Sequence, residues 1–325
     1  MAKKETNETT EYINPAEEYV DITDEPEPTE NIEDYIAGNV RETGNYKQKK
    51  LIKNENVRKI FADVFDTATM NTIHDLARKK YFDEIEFCIA TGKEGNVFRC
   101  KGGKNFYALK IYKVETSDFK HMMDYINGDE RFKEVRKDKL EIIKVWTRKE
   151  FRNLEDFTKA RIRVPLPIAA MRNCLVMEFV GQNGESAPRA KDKPFADPAK
   201  QYEIVCEYMA KMVSAKVVHS DLSEYNILNN DEELVIIDVG QAVSTLHPKA
   251  QEFFERDVLN MSKWFAKQGV DTSYDQMYLK IKEKSAHIKD ERQDRIDAKK
   301  KRTDERIAGL GGKKALLAKA KRKRN

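Results

Sequence analysis

The stretch VHSDLSEYNIL, residues 218–228, places polar and charged side chains between apolar residues. The apolar ends predict anchoring in a core, but the polar middle does not suit a plain core strand. Asp221 is followed five residues later by Asn226, and Asp238 comes twelve residues after Asn226. This order of carboxylate, amide and second carboxylate is typical of phosphoryl transfer, in which catalysis depends on positioning and charge neutralisation.

The chemistry of phosphoryl transfer gives each of these side chains a role. One carboxylate must lie beside the attacking oxygen, and we assign this catalytic role to Asp221. An amide oxygen and a second carboxylate must hold the metal ions that bridge the phosphates, which makes Asn226 and Asp238 the predicted metal ligands. The expected cofactors are ATP and Mg²⁺, with Mn²⁺ as an alternative ion.

The residues upstream supply the remaining parts of such a site. The sequence ATGKEGNVF places Gly92, Lys93 and Gly95 in a turn between two strand-like runs, where backbone N–H groups can approach phosphates closely. Lys110, in YALK, is predicted on a strand, as a phosphate-pairing lysine requires. Glu150, in RKEFRNL, lies on the following predicted helix as the carboxylate that holds Lys110 in place.

The two ends of the chain differ in charge from the middle. Residues 1–40 hold twelve acids against two lysines, and residues 291–325 hold fourteen Lys and Arg against five acids. The acidic end has too few aliphatic side chains to offset its ordering entropy, which predicts disorder over residues 1–45. The basic end, residues 286–325, is predicted as a helical or disordered tail whose cations suit RNA phosphates.

Cysteine spacing and hydropathy exclude several classes of protein. The four cysteines show no CxxC spacing, so neither a disulfide framework nor a zinc cluster is indicated. The N-terminus has no apolar signal-like region, and no run of about 18 apolar residues occurs. We therefore expect a cytoplasmic protein that does not contact membranes.

Taken together, these motifs resemble the RIO family of atypical protein kinases, and within it the first type. The resemblance covers residues 84–285 and rests on TGKEGNVF (91–98) for the phosphate loop, HSDLSEYN (219–226) for the catalytic loop and IIDVGQAV (236–243) for the metal loop, extended by WTRKEFRNL and HPKAQEFFERDVLNMSKWF. It implies an α+β, two-lobed kinase-like fold with a small β-rich N-lobe and a mostly helical C-lobe. The implied divisions are an acidic tail (1–45), a helical segment (46–83), the N-lobe (84–179) with a flexible loop (115–140), the C-lobe (180–285) and a basic tail (286–325).

The departures from an ordinary protein kinase indicate which parts the fold lacks. The phosphate loop has no complete GxGxxG, HSD stands where HRD is usual, and DVG replaces DFG. No APE follows Gly240, so we expect neither an activation segment nor the subdomains that bind peptides.

The family resemblance also implies an activity. It implies an ATP-dependent serine/threonine protein kinase and ATPase that acts in maturation of the small ribosomal subunit, with Asp238 transiently phosphorylated. Adenine would be read by the Glu178 carbonyl and the Val180 amide, and Ser117 is the first candidate for serine autophosphorylation. The implied partner is the precursor small ribosomal subunit, with rRNA contacted by the basic tail.

Two other classes of function share part of this pattern. Small-molecule phosphotransferases of the aminoglycoside-kinase kind also have H-x-D-x-x-x-x-N and I-D-x-G. They need an acidic substrate-binding subdomain after Asp238, where this chain has a basic tail. A nucleotide-sensing module without turnover would not need Lys110, Asp221, Asn226 and Asp238 together.

Overall fold

The computed structural model describes residues 66–114, 117–132, 135 and 138–288. These residues divide into two compact units. Unit 1 comprises the described residues up to Met122, those between Glu134 and Arg152, and Pro165–Ser186. Unit 2 comprises the described residues from Met123 to Phe132, Asn153–Val164 and the described residues from Ala187 onward.

Unit 1 is built on an antiparallel five-stranded sheet in the order β1-β2-β3-β5-β4. Its strands alternate β-branched and aromatic residues with polar ones, and Gly-containing turns separate the first three, which favours a meander. A short hairpin, β6–β7, follows the sheet. The strands are β1 (Glu84–Thr91), β2 (Gly95–Gly102), β3 (Asn105–Tyr112), β4 (Pro167–Met171), β5 (Cys174–Glu178), β6 (Gly181–Gln182) and β7 (Glu185–Ser186).

Helix α1 (Thr67–Arg78) covers one face of this sheet. Asp66 caps the helix by accepting a hydrogen bond from Thr69 N at 2.7 Å, as its side chain favours at this position. The buried apolar side chains of α1 pack with those of the strands and hold the helix on the sheet. The fully buried members of this core are Ile73, Leu76, Phe82, Ile85, Phe98, Cys100, Leu109, Ile111, Cys174 and Val176.

A helix, α2 (Phe119–Ile126), lies where the sequence predicts a flexible loop over residues 115–140. The stretch FKHMMDYI buries Met122, Tyr125 and Ile126, spaced by three and four residues, so one helical face is apolar. The high charge of the surrounding sequence obscures this short amphipathic pattern. Helix α3 (Lys139–Lys159) follows and contributes residues to both units.

The described part of unit 2 is mostly helical, with two short strand pairs near its functional loops. Asp197 caps α4, and Pro198 occupies the first helical position, where the missing N–H costs nothing. The described helices are α4 (Pro198–Ser214), α5 (Ala250–Lys267) and α6 (274–288). The strands pair as β9 (Ile227–Asn230) with β10 (Glu233–Ile236) and β8 (Val217–Val218) with β11 (Val243–Ser244).

The predicted combination of a β-rich part and a mostly helical part is confirmed. The unit boundary near Ser186 differs from the predicted lobe boundary at 179/180, because the β6–β7 hairpin belongs to unit 1. The predicted helical segment 46–83 is described only from Asp66 onward, and its helix ends at Arg78. Residues 1–45 and most of the basic tail lie outside the described residues.

The four cysteines are free thiols. Cys100, Cys174 and Cys206 are buried, as small apolar residues would be, and Cys88 is partly exposed. Burial raises the pKa of the Cys206 thiol to about 11.

Candidate active site

The phosphate loop between β1 and β2 is a tight turn held by its own backbone. Gly92 N donates to Gly95 O at 2.8 Å, and Lys113 Nζ donates to Gly92 O at 2.9 Å. A Cβ on Gly95 would lie 2.5 Å from Ile111 O, so only glycine allows β2 and β3 to approach this closely. Lys93 is exposed at the tip of the turn. The loop therefore has the compact form in which backbone N–H groups can face phosphates.

Lys110 and Glu150 form an ion pair within unit 1. Lys110 lies on β3 opposite Val97 and Leu175, so the neighbouring strands fix its backbone on both sides. Its Nζ is 2.8 Å from Glu150 Oε1, and the two side chains are 12% and 2% exposed. Such a buried pair gains little net stability, since desolvation offsets the attraction. The ion pair instead fixes a position, because the Glu150 carboxylate holds the Lys110 ammonium group in one place.

The segment that is predicted to bind adenine begins at the end of β5. Glu178 pairs with Tyr107 of β3, and its side chain accepts a hydrogen bond from Leu166 N at 3.0 Å. Val180 is buried directly after the strand. The hairpin that follows is attached to the sheet by Arg99, which donates to Gly184 O.

The Arg99 guanidinium also lies over two aromatic rings. It is 4.2 Å from the ring centre of Phe87 and 4.5 Å from that of Phe106. Its Nε is 2.6 Å from Glu86 Oε2. These contacts fix the segment containing Glu178 and Val180 relative to the sheet of unit 1.

In unit 2, the catalytic loop brings Asp221 and Asn226 into direct contact. Asn226 Nδ2 donates to the Asp221 backbone oxygen at 2.8 Å and to Asp221 Oδ2 at 3.1 Å. With its nitrogen used in this way, the Asn226 amide presents its oxygen as a ligand. The amide thus orients the predicted catalytic carboxylate and retains a donor atom for a metal ion.

Asp238 is connected to the same loop through the backbone. Ile237 N donates to Asn226 O at 3.0 Å, which extends the β9–β10 pairing to the residue before Asp238. Asp238 is exposed and has a positive φ of 59°, a conformation that aspartate adopts more readily than most residues. The structure therefore gathers Asp221, Asn226 and Asp238 on two joined loops of unit 2, and their individual roles stay predictions.

Two residues of α5, Arg256 and Asp257, hold the catalytic loop through hydrogen bonds to its backbone. Asp257 accepts hydrogen bonds from Ser220 N and Leu222 N, each at 2.8 Å, on either side of Asp221. Arg256 donates to Ser220 O. Burial raises the pKa of Asp257 to about 7, although the two backbone N–H groups and Arg256 act in the opposite direction.

Asn153 of α3 holds the metal loop in a similar way. Its Nδ2 donates to Val239 O at 2.7 Å and to Ala242 O at 3.0 Å. Both Asn153 and Asp257 are almost completely buried. Neither residue was predicted from the sequence. Asp257 nevertheless lies on the apolar face of α5, between Phe253 and Met261, where a charged residue is unusual, and this position could have indicated it.

Ser117, the first candidate for autophosphorylation, is buried in the structure. Its hydroxyl donates to the backbone oxygens of Lys113 and Glu94. It therefore contacts the phosphate loop rather than lying open to solvent.

The donor atoms of unit 2 fit a magnesium site completed by a nucleotide. The described residues contain no group of three or more His, Cys, Asp or Glu side chains able to hold a metal ion. Magnesium usually takes one or two protein ligands together with waters and substrate phosphates. Asn226 and Asp238 form such a small oxygen donor set, and Mg²⁺ bound there would neutralise phosphate charge.

None of the helices in the described part of the chain combines the length and apolar character needed to cross a lipid bilayer.

A family model and curated proteins match this chain. The RIO domain model matches residues 96–279. The RIO-type serine/threonine-protein kinase Rio1 of Haloferax volcanii is 45% identical over 228 residues, which cover 70% of this chain and 79% of that protein. The Rio1 protein of Methanocaldococcus jannaschii is 39% identical over 241 residues, covering 72% and 82%.

A solved structure shares the fold. The Rio2 kinase of Chaetomium thermophilum, solved as an ADP/Mg²⁺-phosphoaspartate complex, superimposes with a TM-score of 0.51. It is 20% identical and covers 70% of this chain and 74% of that one. The two chains therefore share a kinase-like α+β architecture.

Proposed function

The chain belongs to the RIO family of atypical protein kinases, and from this premise we propose that it transfers the γ-phosphoryl group of ATP and acts in maturation of the small ribosomal subunit. The observation that carries the proposal is the contact of Asn226 with Asp221 on the loop joined to Asp238. This is the arrangement that positioning of a metal-bound phosphate requires.

The residues of unit 1 would bind the nucleotide. Backbone groups of the loop containing Gly92 and Gly95 contact phosphate oxygens, and Lys110, held by Glu150, neutralises their charge. Glu178 and Val180 contact adenine through backbone groups. Lys93, exposed at the loop tip, is positioned to contribute a further cation.

The residues of unit 2 would perform the transfer. Asn226 and Asp238 would hold Mg²⁺, which would supply charge neutralisation at the phosphates. When a serine or threonine hydroxyl is the acceptor, Asp221 takes its proton as the new oxygen–phosphorus bond forms and ADP leaves.

In the ATPase reaction that we propose, Asp238 is the nucleophile. One of its carboxylate oxygens bonds to the γ-phosphorus, while the bond from that phosphorus to the bridging oxygen of ADP breaks. Water then hydrolyses the acyl phosphate, releases inorganic phosphate and restores the carboxylate. The exposure of Asp238 and the phosphoaspartate in the Rio2 complex support this assignment.

The test uses radiolabelled ATP, Mg²⁺ and the full chain without added protein substrate. We expect ATP hydrolysis and a protein-bound label that hydroxylamine removes. Asp238→Asn should lower hydrolysis by about 1,000-fold or more and abolish that label, because it removes a nucleophile. Asp192→Asn, a surface carboxylate paired with Arg189, serves as the control and should behave as wild type.

Two results would contradict this assignment. Full hydrolysis by the Asp238→Asn variant would exclude Asp238 as the nucleophile. A label that resists hydroxylamine and maps to serine would indicate ordinary autophosphorylation instead.

The proposed partner is the precursor small ribosomal subunit, contacted by the basic tail. Residues 289–325 of the tail lie outside the described residues, and the support for this step is the charge of the tail. About six phosphate contacts would give a slope near −4 in log affinity against log salt on single-stranded RNA. Deleting residues 291–325 should flatten that slope and leave ATP hydrolysis unchanged.

The control for this deletion is removal of the acidic residues 1–40, alone and together with the basic tail. An acidic tail that masks the basic one would increase RNA affinity when removed. RNA binding that keeps its salt slope after loss of residues 291–325 in both backgrounds would show that the RNA surface lies elsewhere. Recovery of small-subunit rRNA precursors with the tagged chain would support the ribosomal role.

A further inference from the structure

The segment of residues 124–131 lies within the predicted flexible loop, yet it is part of unit 2. Arg131 makes two bonds to Asp129, with Nε 2.9 Å from Oδ1 and Nη2 2.7 Å from Oδ2. Its third nitrogen, Nη1, is 3.1 Å from Asp156 Oδ2. The Arg131 side chain is 12% exposed and that of Asp129 is fully buried. The guanidinium group is thus held by carboxylates on two sides.

This ion-pair network reaches residues 242–244, at the end of the metal loop. Arg131 Nη2 donates to Ala242 O at 3.4 Å, the same oxygen that accepts from Asn153. Asp129 Oδ2 accepts from Ser244 N, also at 3.4 Å. Residues 242–244 lie four to six positions after Asp238, so their placement affects where the metal loop ends.

The same segment also reaches the catalytic loop. Tyr125 stacks on Phe253 of α5, with ring centres 5.1 Å apart, and its hydroxyl interacts electrostatically with the Arg256 guanidinium. Arg256 in turn donates to Ser220 O, next to Asp221. One short segment therefore contacts the supports of both functional loops.

The backbone of the segment is closely packed. His247 Nε2 lies 3.1 Å from Asp124 O. A Cβ on Gly128 would lie 2.5 Å from the His247 ring, so the ring rests directly on the Gly128 backbone. These contacts leave the segment little freedom to shift without moving His247.

Burial of the Asp129–Arg131 pair gives a weak gain in stability, since desolvation of two charges offsets their attraction. A fully bonded polar network instead specifies one geometry. We propose that residues 124–131 form a clamp that sets the positions of the catalytic and metal loops. Within it, Arg131 and Tyr125 are positioning residues that act through residues 242–244 and Ser220. For its activity readout, the proposal rests on the function proposed above.

The decisive variant is Arg131→Lys, which keeps the charge but loses the fork that bonds Asp129, Asp156 and Ala242 together. The matched control is Arg163→Lys. Arg163 also belongs to unit 2, pairs with a carboxylate, Glu233, at 3.1 Å, and donates to Val164 O at 2.9 Å; both partners lie outside residues 218–228 and 237–246.

Two measurements on the full chain separate positioning from simple stability. The first is amide hydrogen exchange of peptides covering residues 218–228 and 237–246, without nucleotide. The second is ATP hydrolysis, with kcat, KM for ATP and the Mg²⁺ concentration for half-maximal rate. Thermal unfolding of each variant accompanies both measurements.

For Arg131→Lys we expect exchange in both peptides to rise by about tenfold, because their supports are loosened. We expect kcat to fall by at least about tenfold, because small displacements of reacting groups are costly. The half-maximal Mg²⁺ concentration should rise, while KM for ATP changes by less than about twofold, since the phosphate loop and Lys110 are untouched. Arg163→Lys should match wild type throughout.

Tyr125→Phe provides a milder variant that removes only one hydroxyl group. We expect about a threefold decrease in kcat with unchanged unfolding temperature, because the ring stacking remains. If Arg131→Lys folds and shows the exchange and kcat of wild type, the proposed clamp is overturned. If Arg131→Lys does not fold, the same result in Tyr125→Phe overturns it.

The exchange measurement does not depend on activity. If wild type and Arg163→Lys hydrolyse no ATP, the proposed ATPase function fails. The clamp is then judged by exchange alone, and unchanged exchange in Arg131→Lys overturns it.

Discussion

The phosphate loop of unit 1 and the catalytic and metal loops of unit 2 are held in different ways. The phosphate loop is a backbone turn, with Gly95 packed against β3 and one partly exposed cation, Lys113, on Gly92 O. The loops of unit 2 are held by side chains from elsewhere in the chain. Asp257 and Asn153 each make two hydrogen bonds to loop backbone and are almost completely buried.

This difference shows which parts of the sequence determine the shape of each loop. The shape of the phosphate loop depends on residues within a few positions of it and on the strand beside it. The geometry of the unit 2 loops depends on residues 35 or more positions away in sequence. Substitutions far from Asp221 should therefore affect it strongly, whereas the phosphate loop should respond mainly to changes at its own glycines.

Among the contacts that hold these loops, the largest effect is expected from Asp257→Ala. It leaves the N–H groups of Ser220 and Leu222 buried without an acceptor, which costs about 3 kcal/mol of unfolding free energy. We expect ATP hydrolysis to fall by about 100-fold as Asp221 loses its position. Urea unfolding and hydrolysis assays measure both effects. Asp192→Ala, which breaks only a surface pair, is the control, and equal behaviour of the two variants would remove the contrast between the regions.

The second effect concerns the phosphate loop itself. In Gly95→Ala the new methyl group would overlap Ile111 O, so β2 and β3 must separate, at a cost of about 2 kcal/mol. We expect KM for ATP to rise more than kcat falls, because nucleotide binding depends on this turn. Gly103→Asn is the control, since Gly103 has open space and asparagine accepts its positive φ. A Gly95→Ala variant with unchanged KM would contradict the role of the turn.

The third effect is a pH dependence of stability confined to unit 2. Burial raises the pKa of Asp257 from 3.8 to about 7, so the folded chain keeps a proton there that the unfolded chain has lost. The stabilising contribution is therefore complete below about pH 4 and is lost as the pH rises to about 7. The charged groups facing Asp257 are Arg256 and Asp221, and Tyr125 lies nearby.

Asp257→Asn removes this titration and isolates it from other groups. Between pH 4 and pH 7, the unfolding free energy of wild type should fall relative to that of the variant. Urea unfolding at several pH values measures the difference. Parallel curves for the two proteins would show that the Asp257 pKa is not raised.

The smallest effect is expected at the exposed contact of the phosphate loop. Lys113→Met removes the bond to Gly92 O, and water replaces the donor, so the loss is about 0.5 kcal/mol or less. We expect KM for ATP to rise by less than about threefold. Lys104→Met, in the exposed turn between β2 and β3, is the control. A loss of activity comparable to that of Asp257→Ala would mean that the phosphate loop also depends on one remote side chain.

The difference between the locally held phosphate loop and the remotely held loops of unit 2 also explains which features could be predicted from the sequence. The turn containing Gly92 and Gly95, the strand position of Lys110 and the helical position of Glu150 follow from local patterns. The pairing of Lys110 with Glu150 was predicted from chain order and chemistry, and in the structure Lys110 Nζ lies 2.8 Å from Glu150 Oε1.

Other features depend on tertiary contacts that local patterns do not contain. The helix at Phe119–Ile126 was predicted as a flexible loop, because charge in the flanking residues outweighed a short apolar stripe. The bonds of Asn153 to the metal loop span more than 85 positions, and no periodic pattern indicates such a partner.

The positive φ angles of Ser220 and Asp238 constrain how this sequence can evolve. Ser220, at 71°, lies in a region that costs an L-residue about 1–2 kcal/mol and costs glycine little, so replacement by glycine there is a permitted evolutionary path. Asp238, at 59°, carries a smaller strain, since aspartate adopts this conformation more readily, but glycine would remove the carboxylate proposed as the nucleophile. Substitution by glycine can therefore relieve the backbone strain at Ser220, whereas the strain at Asp238 must remain if its carboxylate is kept.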